Sequence, residues 1–184
     1  GNECELVIID KSEPNTDTVA AIPAEVLSKN KIYRAGSLPF KMTVLDYFTN
    51  SDLGQLGKGR ENWATKGKGL ELAAIDKKSV TSLEEVNFPA AYIKLQSTKG
   101  TELGTWMVSA LFGVLRQPIP EQTFEHDGQL YELALRFKRY YTPYDIELID
   151  FKHDKFQGTE KARNFSSLVT LRDRTTGAER EVNI

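Results

Sequence analysis

The chain has one cysteine, Cys4, and two histidines, His126 and His153, among 184 residues. A single cysteine excludes an internal disulfide and an all-cysteine metal site. The histidines have no histidine partner at helical spacing and no cysteine near them in the sequence, which is a weak metal-binding pattern. An aspartate follows each of them and could orient a ligating imidazole, but a surface or turn position is the favoured interpretation for both. We expect no metal site.

The sequence also lacks an excess of charge and a long apolar run. It has 24 basic and 26 acidic residues, for a net charge of −2. This balance predicts no nucleic-acid partner and no polybasic membrane anchor. The longest apolar run, residues 106–115, falls short of the roughly 18 residues that a membrane helix needs. Both ends of the sequence look cut, so we expect the chain to be a piece of a longer protein.

One nine-residue pattern occurs twice, at residues 39–47 and 143–151. Each copy opens with proline and then places apolar residues at every second position, the period of a half-buried strand. In both copies the apolar positions shift by one residue, at Leu45 and at Ile149, which predicts a β-bulge at the same point. An Asn-aromatic pair follows each copy, at 62–63 and 164–165. These echoes predict one domain over 1–184 with repeat units at about 38–76 and 142–184.

The remaining patterns predict an all-β, mostly antiparallel sandwich or open barrel with one or two short helices. Asp127-Gly128 is a strong two-residue hairpin turn, and a second hairpin is predicted around residues 98–100. Pro23 and the six residues after it are the best candidate for a helix, because proline suits the first helical turn. We expect nine or ten strands in total.

No nucleophile has a base and a carboxylate at a recognisable spacing, so no enzyme is predicted. The glycine- and lysine-rich segment 54–69 lacks the strand and helix of a phosphate-binding loop, and a mobile loop is favoured. A basic and aromatic segment is the best candidate for partner binding through stacking, although a solvated sheet face explains its alternation as well. Its candidate residues are Arg136, Lys138, Arg139, Tyr140 and Tyr141.

The C-terminal third carries a more specific signal. Residues 133–144 (LALRFKRYYTPY), 148–154 (LIDFKHD), 158–159 (GT) and 164–169 (NFSSLV) resemble the extracytoplasmic domain of ResB-like proteins. The resemblance is sharp over 122–184 and weaker over 38–50 and 103–109.

This family takes part in the second, ResB/ResC system of c-type cytochrome maturation. The resemblance implies a non-catalytic scaffold on the periplasmic face of a bacterial inner membrane, within a membrane-embedded full-length protein. Its implied partners are a ResC-type membrane protein and apocytochrome c. Haem is implied for the full system, with none bound by this domain. The family's haem-handling histidines lie in its membrane part, so His153 is retained only as a candidate ligand.

Two other functions stay open from the residues alone. One is a β-barrel or β-sandwich module that binds a small apolar ligand in an enclosed cavity. The other is an enzyme whose carboxylate pair the sequence does not locate.

Overall fold

The protein was described from a computed structural model, which covers the backbone of residues 3–56, 63–138, 144–153, 163–173 and 179–183. Side chains are described for 3–56, except Thr16, and for 63–138. The strands, numbered β1 to β13 in chain order, are Cys4–Glu13, Thr16–Pro23, Ile32–Arg34, Phe40–Phe48, Ser51–Gln55, Leu72–Asp76, Ala90–Ser97, Glu102–Ser109, Gln122–His126, Gln129–Phe137, Tyr144–His153, Arg163–Asp173 and Glu179–Asn183. The described residues include three short 3-10 helices, at Ala24–Val26, Gly67–Leu70 and Ala110–Gly113.

The predicted all-β, mostly antiparallel class is confirmed, as are both predicted hairpins. His126 pairs with Gln129 across Asp127 and Gly128, whose φ angles of 49° and 76° are those of the predicted two-residue turn. No helix in the described part of the chain is long and apolar enough to cross a membrane.

The prediction of a helix starting at Pro23 is wrong. Pro23 ends β2, where it pairs with Glu5, and only Ala24–Val26 form a single 3-10 turn. The turn has no side-chain cap, and Leu27 returns to extended backbone with ψ 133°. The run is too short to nucleate an α-helix against this strand pairing.

The described residues form thirteen strands rather than the predicted nine or ten, because β2, β3 and β5 have weak strand patterns in the sequence. Strand β2 has buried residues in succession, from Val19 to Ile22, and therefore lacks alternation. Strand β3 has three residues, and β5 (SDLGQ) is mostly polar with a glycine.

Both predicted β-bulges are present. In β4, Val44 pairs with Ile93 and Asp46 with Tyr92, so Leu45 has no partner in β7. In β11, Leu148 pairs with Val169 and Asp150 with Leu168, which leaves Ile149 without a partner in β12. An extra residue thus interrupts each copy of the repeat at the same point of its pattern.

The two copies differ in their surroundings. Strand β4 lies between β3 and β7, whereas β11 pairs with β12 among the described strands. The Asn-aromatic echo does not mark equivalent structure either, because Trp63 lies outside any strand and Phe165 lies within β12.

Eleven strands form one continuous path, in the order β8-β7-β4-β3-β12-β13-β2-β1-β10-β9 with β11 on β12. Strands β5 and β6 form a separate two-stranded sheet. Two parallel contacts, β3 with β12 and β2 with β13, connect the C-terminal strands to the rest of the path.

The main core lies between the layer that contains β4 and the layer that contains β9 and β10. The Phe40 ring meets Tyr131 and Phe124 edge-on, with centroid distances of 4.6 and 5.2 Å. Met42 and Val44 follow Phe40 on the same face and are fully buried. After the bulge, Tyr47 packs on this core, while Leu45 packs in a second cluster with Met107 and Tyr92. The β5–β6 sheet covers that second cluster through Leu53 and Leu72.

Candidate functional site

The two described residues of the basic segment have different environments. Arg136 lies opposite Glu5 in the β1–β10 pair, and its Nε is 3.4 Å from Glu5 Oε1. Their side chains are only 13% and 8% exposed. Lys138 is exposed, and its backbone N–H donates to the Glu3 carbonyl. A solvated sheet face therefore describes Lys138 but not Arg136, which is held in a largely buried ion pair.

The other three candidates of the segment, Arg139, Tyr140 and Tyr141, lie outside the described residues. His153 is the last residue of β11, where it pairs with Phe165, and its side chain is also outside the description. The structure thus brings Arg136 and Lys138 to the end of β10 and leaves the complete patch untested.

A cleft of about 460 Å³ lies at the start of β1 and reaches Lys138. Glu3, Glu5 and Glu25 line it, together with Cys4 and Tyr47. Burial raises the pKa of the Cys4 thiol to about 12, and the adjacent Glu5 carboxylate adds to the rise. Because a thiol with such a pKa stays protonated at neutral pH, Cys4 is a poor nucleophile.

Tyr47, at the end of β4, lies in the same cleft. Burial raises its pKa to about 12, with smaller contributions from Cys4 and Glu25. The charged glutamates in the lining make this cleft unlike the enclosed apolar cavity expected of a module that binds small apolar ligands.

A carboxylate pair, which the sequence could not locate, lies toward the other end of β1, around Lys11. Lys11 Nζ is 2.8 Å from Glu121 Oε2 and 3.3 Å from Glu132 Oε1. Glu132 is largely buried, and burial raises its pKa; the neighbouring Glu121 raises it further, whereas Lys11 lowers it. The shared lysine makes this group an ion-pair network that ties residue 121 to the sheet.

A groove of about 480 Å³, which we call the seam, lies beside the two end strands of the path, where Trp106 of β8 and Gln122 and Thr123 of β9 line it. Residues 65–68, Leu70 and Glu71 form one wall, residues 120–123 form the other, and Trp106 lies between them. The Trp106 and Phe124 rings are tilted against each other at a centroid distance of 6.2 Å. The two end strands of the path are therefore in contact through these rings.

Gln122 bridges one end of the seam. Its Nε2 donates to the Met107 carbonyl of β8 at 2.9 Å, and its Oε1 accepts from the Lys68 N–H at 3.0 Å. Gly67 makes this close approach possible: its φ is +74°, and a Cβ there would lie 2.2 Å from Gln122 Oε1. Gln122 itself is 8% exposed.

The wall formed by residues 65–68 is fixed to β8. The Thr65 N–H donates to the Thr105 carbonyl at 2.8 Å, and the Thr105 N–H donates to Thr65 Oγ1 at 2.9 Å. Lys66 forms a parallel bridge with Trp106. The end of the glycine- and lysine-rich segment is thus an ordered wall. The prediction of a mobile loop over 54–69 is therefore wrong for residues 65–68.

His126, at the end of β9, is half-buried rather than a plain surface residue. Its ring contacts Phe40 at a centroid distance of 5.4 Å, and its Nε2 is 3.4 Å from Asp127 Oδ2. Among the described residues, no group of three or more His, Cys, Asp and Glu side chains is arranged to hold a metal ion.

The sequence pattern gave no signal for Gln122, Glu5 or the Lys11 network. Each of these depends on strands that are distant in the chain, so only a topology with β1 beside β10 and β8 facing β9 would have revealed them. Comparisons with models of protein families and with curated proteins gave no match to this chain.

Proposed function

We propose that this chain is the extracytoplasmic domain of a ResB-like protein and serves as a non-catalytic scaffold in c-type cytochrome maturation. The observation that carries the proposal is the block of residues 133–169, whose sequence resembles that domain over several separate motifs. The block lies within an all-β fold and contains the β-bulge of β11.

The interior of the fold favours a scaffold over a module that encloses a small apolar ligand. Aromatic rings fill the space between the layers, with Phe124 stacked on Tyr131 at 5.4 Å and Phe40 packed edge-on against both. The large clefts of the described residues lie at the surface and have charged linings. Such surfaces suit contact with other macromolecules.

Under this proposal the domain works beside a ResC-type membrane partner on the periplasmic side, and haem is cargo of the complete system. We expect the isolated domain to bind haem weakly or not at all. Titration with haem, followed by the Soret band, measures this. A tight stoichiometric complex that is lost in His153→Ala would contradict the expectation and make His153 a haem ligand.

The decisive experiment is deletion of the gene. Covalent haem attachment to c-type cytochromes, read by haem staining of denatured membrane proteins, should be lost and should return on re-expression. Normal attachment in the deletion strain would overturn the proposal. The full-length protein should also contain apolar segments of about 20 residues on both sides of this domain.

A further inference from the structure

A pocket of about 130 Å³ is lined by β10 and by the connector that leads from β8 to β9. Residues 132–136 of β10 form one wall, and Phe112, Ile119 and Pro120 of the connector contribute apolar surface. A protein cavity of about 150 Å³ holds one benzene molecule, so this pocket has room for a ligand of about six non-hydrogen atoms.

The charged groups of the pocket belong to alternate residues of β10. Leu133 and Leu135 pack in the main core. Glu132, Ala134 and Arg136 alternate with them and therefore point to the other face of the sheet. Because a strand rises about 3.3 Å per residue, the acid and the base are separated by about 13 Å along β10. The short side chain of Ala134 leaves space between them.

Both charged side chains are largely buried and only partly engaged. The side chains of Glu132 and Arg136 are 8% and 13% exposed. Arg136 meets Glu5 through Nε at 3.4 Å, which engages one of the five N–H donors of its guanidinium. Glu132 is 3.3 Å from Lys11, whose ammonium lies closer to Glu121, at 2.8 Å. Neither contact is short for a charged pair, so the acid and the base can each bind a further partner in the pocket.

We propose that this pocket binds a small α-amino acid in its zwitterionic form. Arg136 binds the carboxylate, Glu132 binds the ammonium, and the ligand lies over Ala134 with its side chain against the apolar surface of the connector. A ligand with both charges is complementary to an anion and a cation across a gap, whereas a ligand with one charge meets a like charge. Glu121, which also lines the pocket, is paired with Lys11.

The first test compares ligands. The probe is alanine, titrated into the ¹⁵N-labelled chain, and the amide resonances of residues 109–113 and 132–136 should shift most. Propionate lacks the ammonium and ethylamine lacks the carboxylate. Each should bind at least about tenfold more weakly than alanine, because one buried charged group then has no ligand partner. Tryptophan should not bind, because its side chain exceeds the volume of the pocket.

Matched variants test the place of binding. Ala134→Leu should abolish alanine binding, because the larger side chain fills the pocket. Val114→Leu is its control, at a 50% exposed position of the connector that does not line the pocket. Glu132→Gln keeps the size of the side chain and removes its charge, so it should weaken alanine binding about tenfold without weakening that of propionate. Glu125→Gln, at an exposed position of β9, should change neither.

Circular dichroism verifies the fold of each variant, and if Ala134→Leu does not fold, Glu132→Gln and the two singly charged probes decide. Four outcomes would overturn the assignment: no saturation by about 10 mM alanine, equal binding of alanine and either singly charged probe, unchanged binding in a folded Ala134→Leu variant, or shifts confined to the cleft that contains Cys4. The titration involves no other component of cytochrome maturation, so its result is independent of the gene deletion.

Discussion

Gln122 donates a hydrogen bond from its side-chain amide to the carbonyl oxygen of Met107, over 2.9 Å. The bond joins the first residue of β9 to β8, the two ends of the strand path. The same amide accepts a hydrogen bond from the Lys68 N–H. One buried side chain of the 120–123 wall is therefore bonded both to β8 and to the 65–68 wall of the seam. A specific polar contact therefore links the two end strands of the path.

Replacing Gln122 with alanine should lower the free energy of unfolding by about 1–3 kcal/mol, because two backbone groups lose their partner in a buried place. Urea unfolding measures the change. Gln55→Ala, at an exposed position of β5, is the control and should change stability by no more than about 0.5 kcal/mol. Equal stability of the two variants would show that Gln122 does not brace the seam.

Arg136 and Lys138 should respond differently to alanine. Arg136→Ala removes the guanidinium that faces the buried Glu5 carboxylate and should cost about 2–4 kcal/mol of stability. Lys138→Ala removes an exposed ammonium and should be nearly neutral. Thermal unfolding compares them.

This difference decides how the basic segment is tested in cells. If Arg136→Ala loses cytochrome maturation and Lys138→Ala keeps it, the loss would report misfolding. Loss of maturation in the stable Lys138→Ala variant would instead report a binding surface. If Arg136→Ala keeps full stability, the ion pair with Glu5 is not structural and Arg136 returns as a contact candidate.

The ion pairs of Lys11 with Glu121 and Glu132 predict that the free energy of unfolding depends on pH. The pKa of Glu132 is raised in the folded state, so its contribution to stability is fully present below its unfolded pKa, near 4.5, and is lost as the pH rises through the higher folded value. Glu132→Gln should therefore flatten the dependence of unfolding free energy on pH above about 4.5. Thr123→Ala, at an exposed position of β9 without a titratable group, should keep the wild-type slope. Identical slopes in all three proteins would contradict the assignment.

Local patterns predicted the local features of this fold. Alternation and its shift located the bulges at Leu45 and Ile149, and Asp127-Gly128 located a hairpin, because each depends on residues within a few positions. The Glu5–Arg136 pair joins residues 131 positions apart, and no local period encodes which strands become neighbours. The seam was missed for the same reason.

The bulges give the last prediction. Val44 and Asp46 already pair with consecutive residues of β7, Ile93 and Tyr92, so deletion of Leu45 leaves a regular ladder with every other partner unchanged. The deletion should remove only the packing of Leu45 in the second cluster, at a cost of about 1–2 kcal/mol. Urea unfolding of the deletion variant measures this cost.

Deletion of Ile93 is the matched control, because β7 has no extra residue there and half of its side chains would move to the opposite face of the sheet. That variant should not fold. Deletion of Ile149 should be tolerated like that of Leu45, since Leu148 and Asp150 also pair with consecutive residues of β12. If removal of Leu45 or Ile149 unfolds the domain as removal of Ile93 does, the extra residues are required for the strand geometry, and the repeat preserves a structural role for the bulge itself.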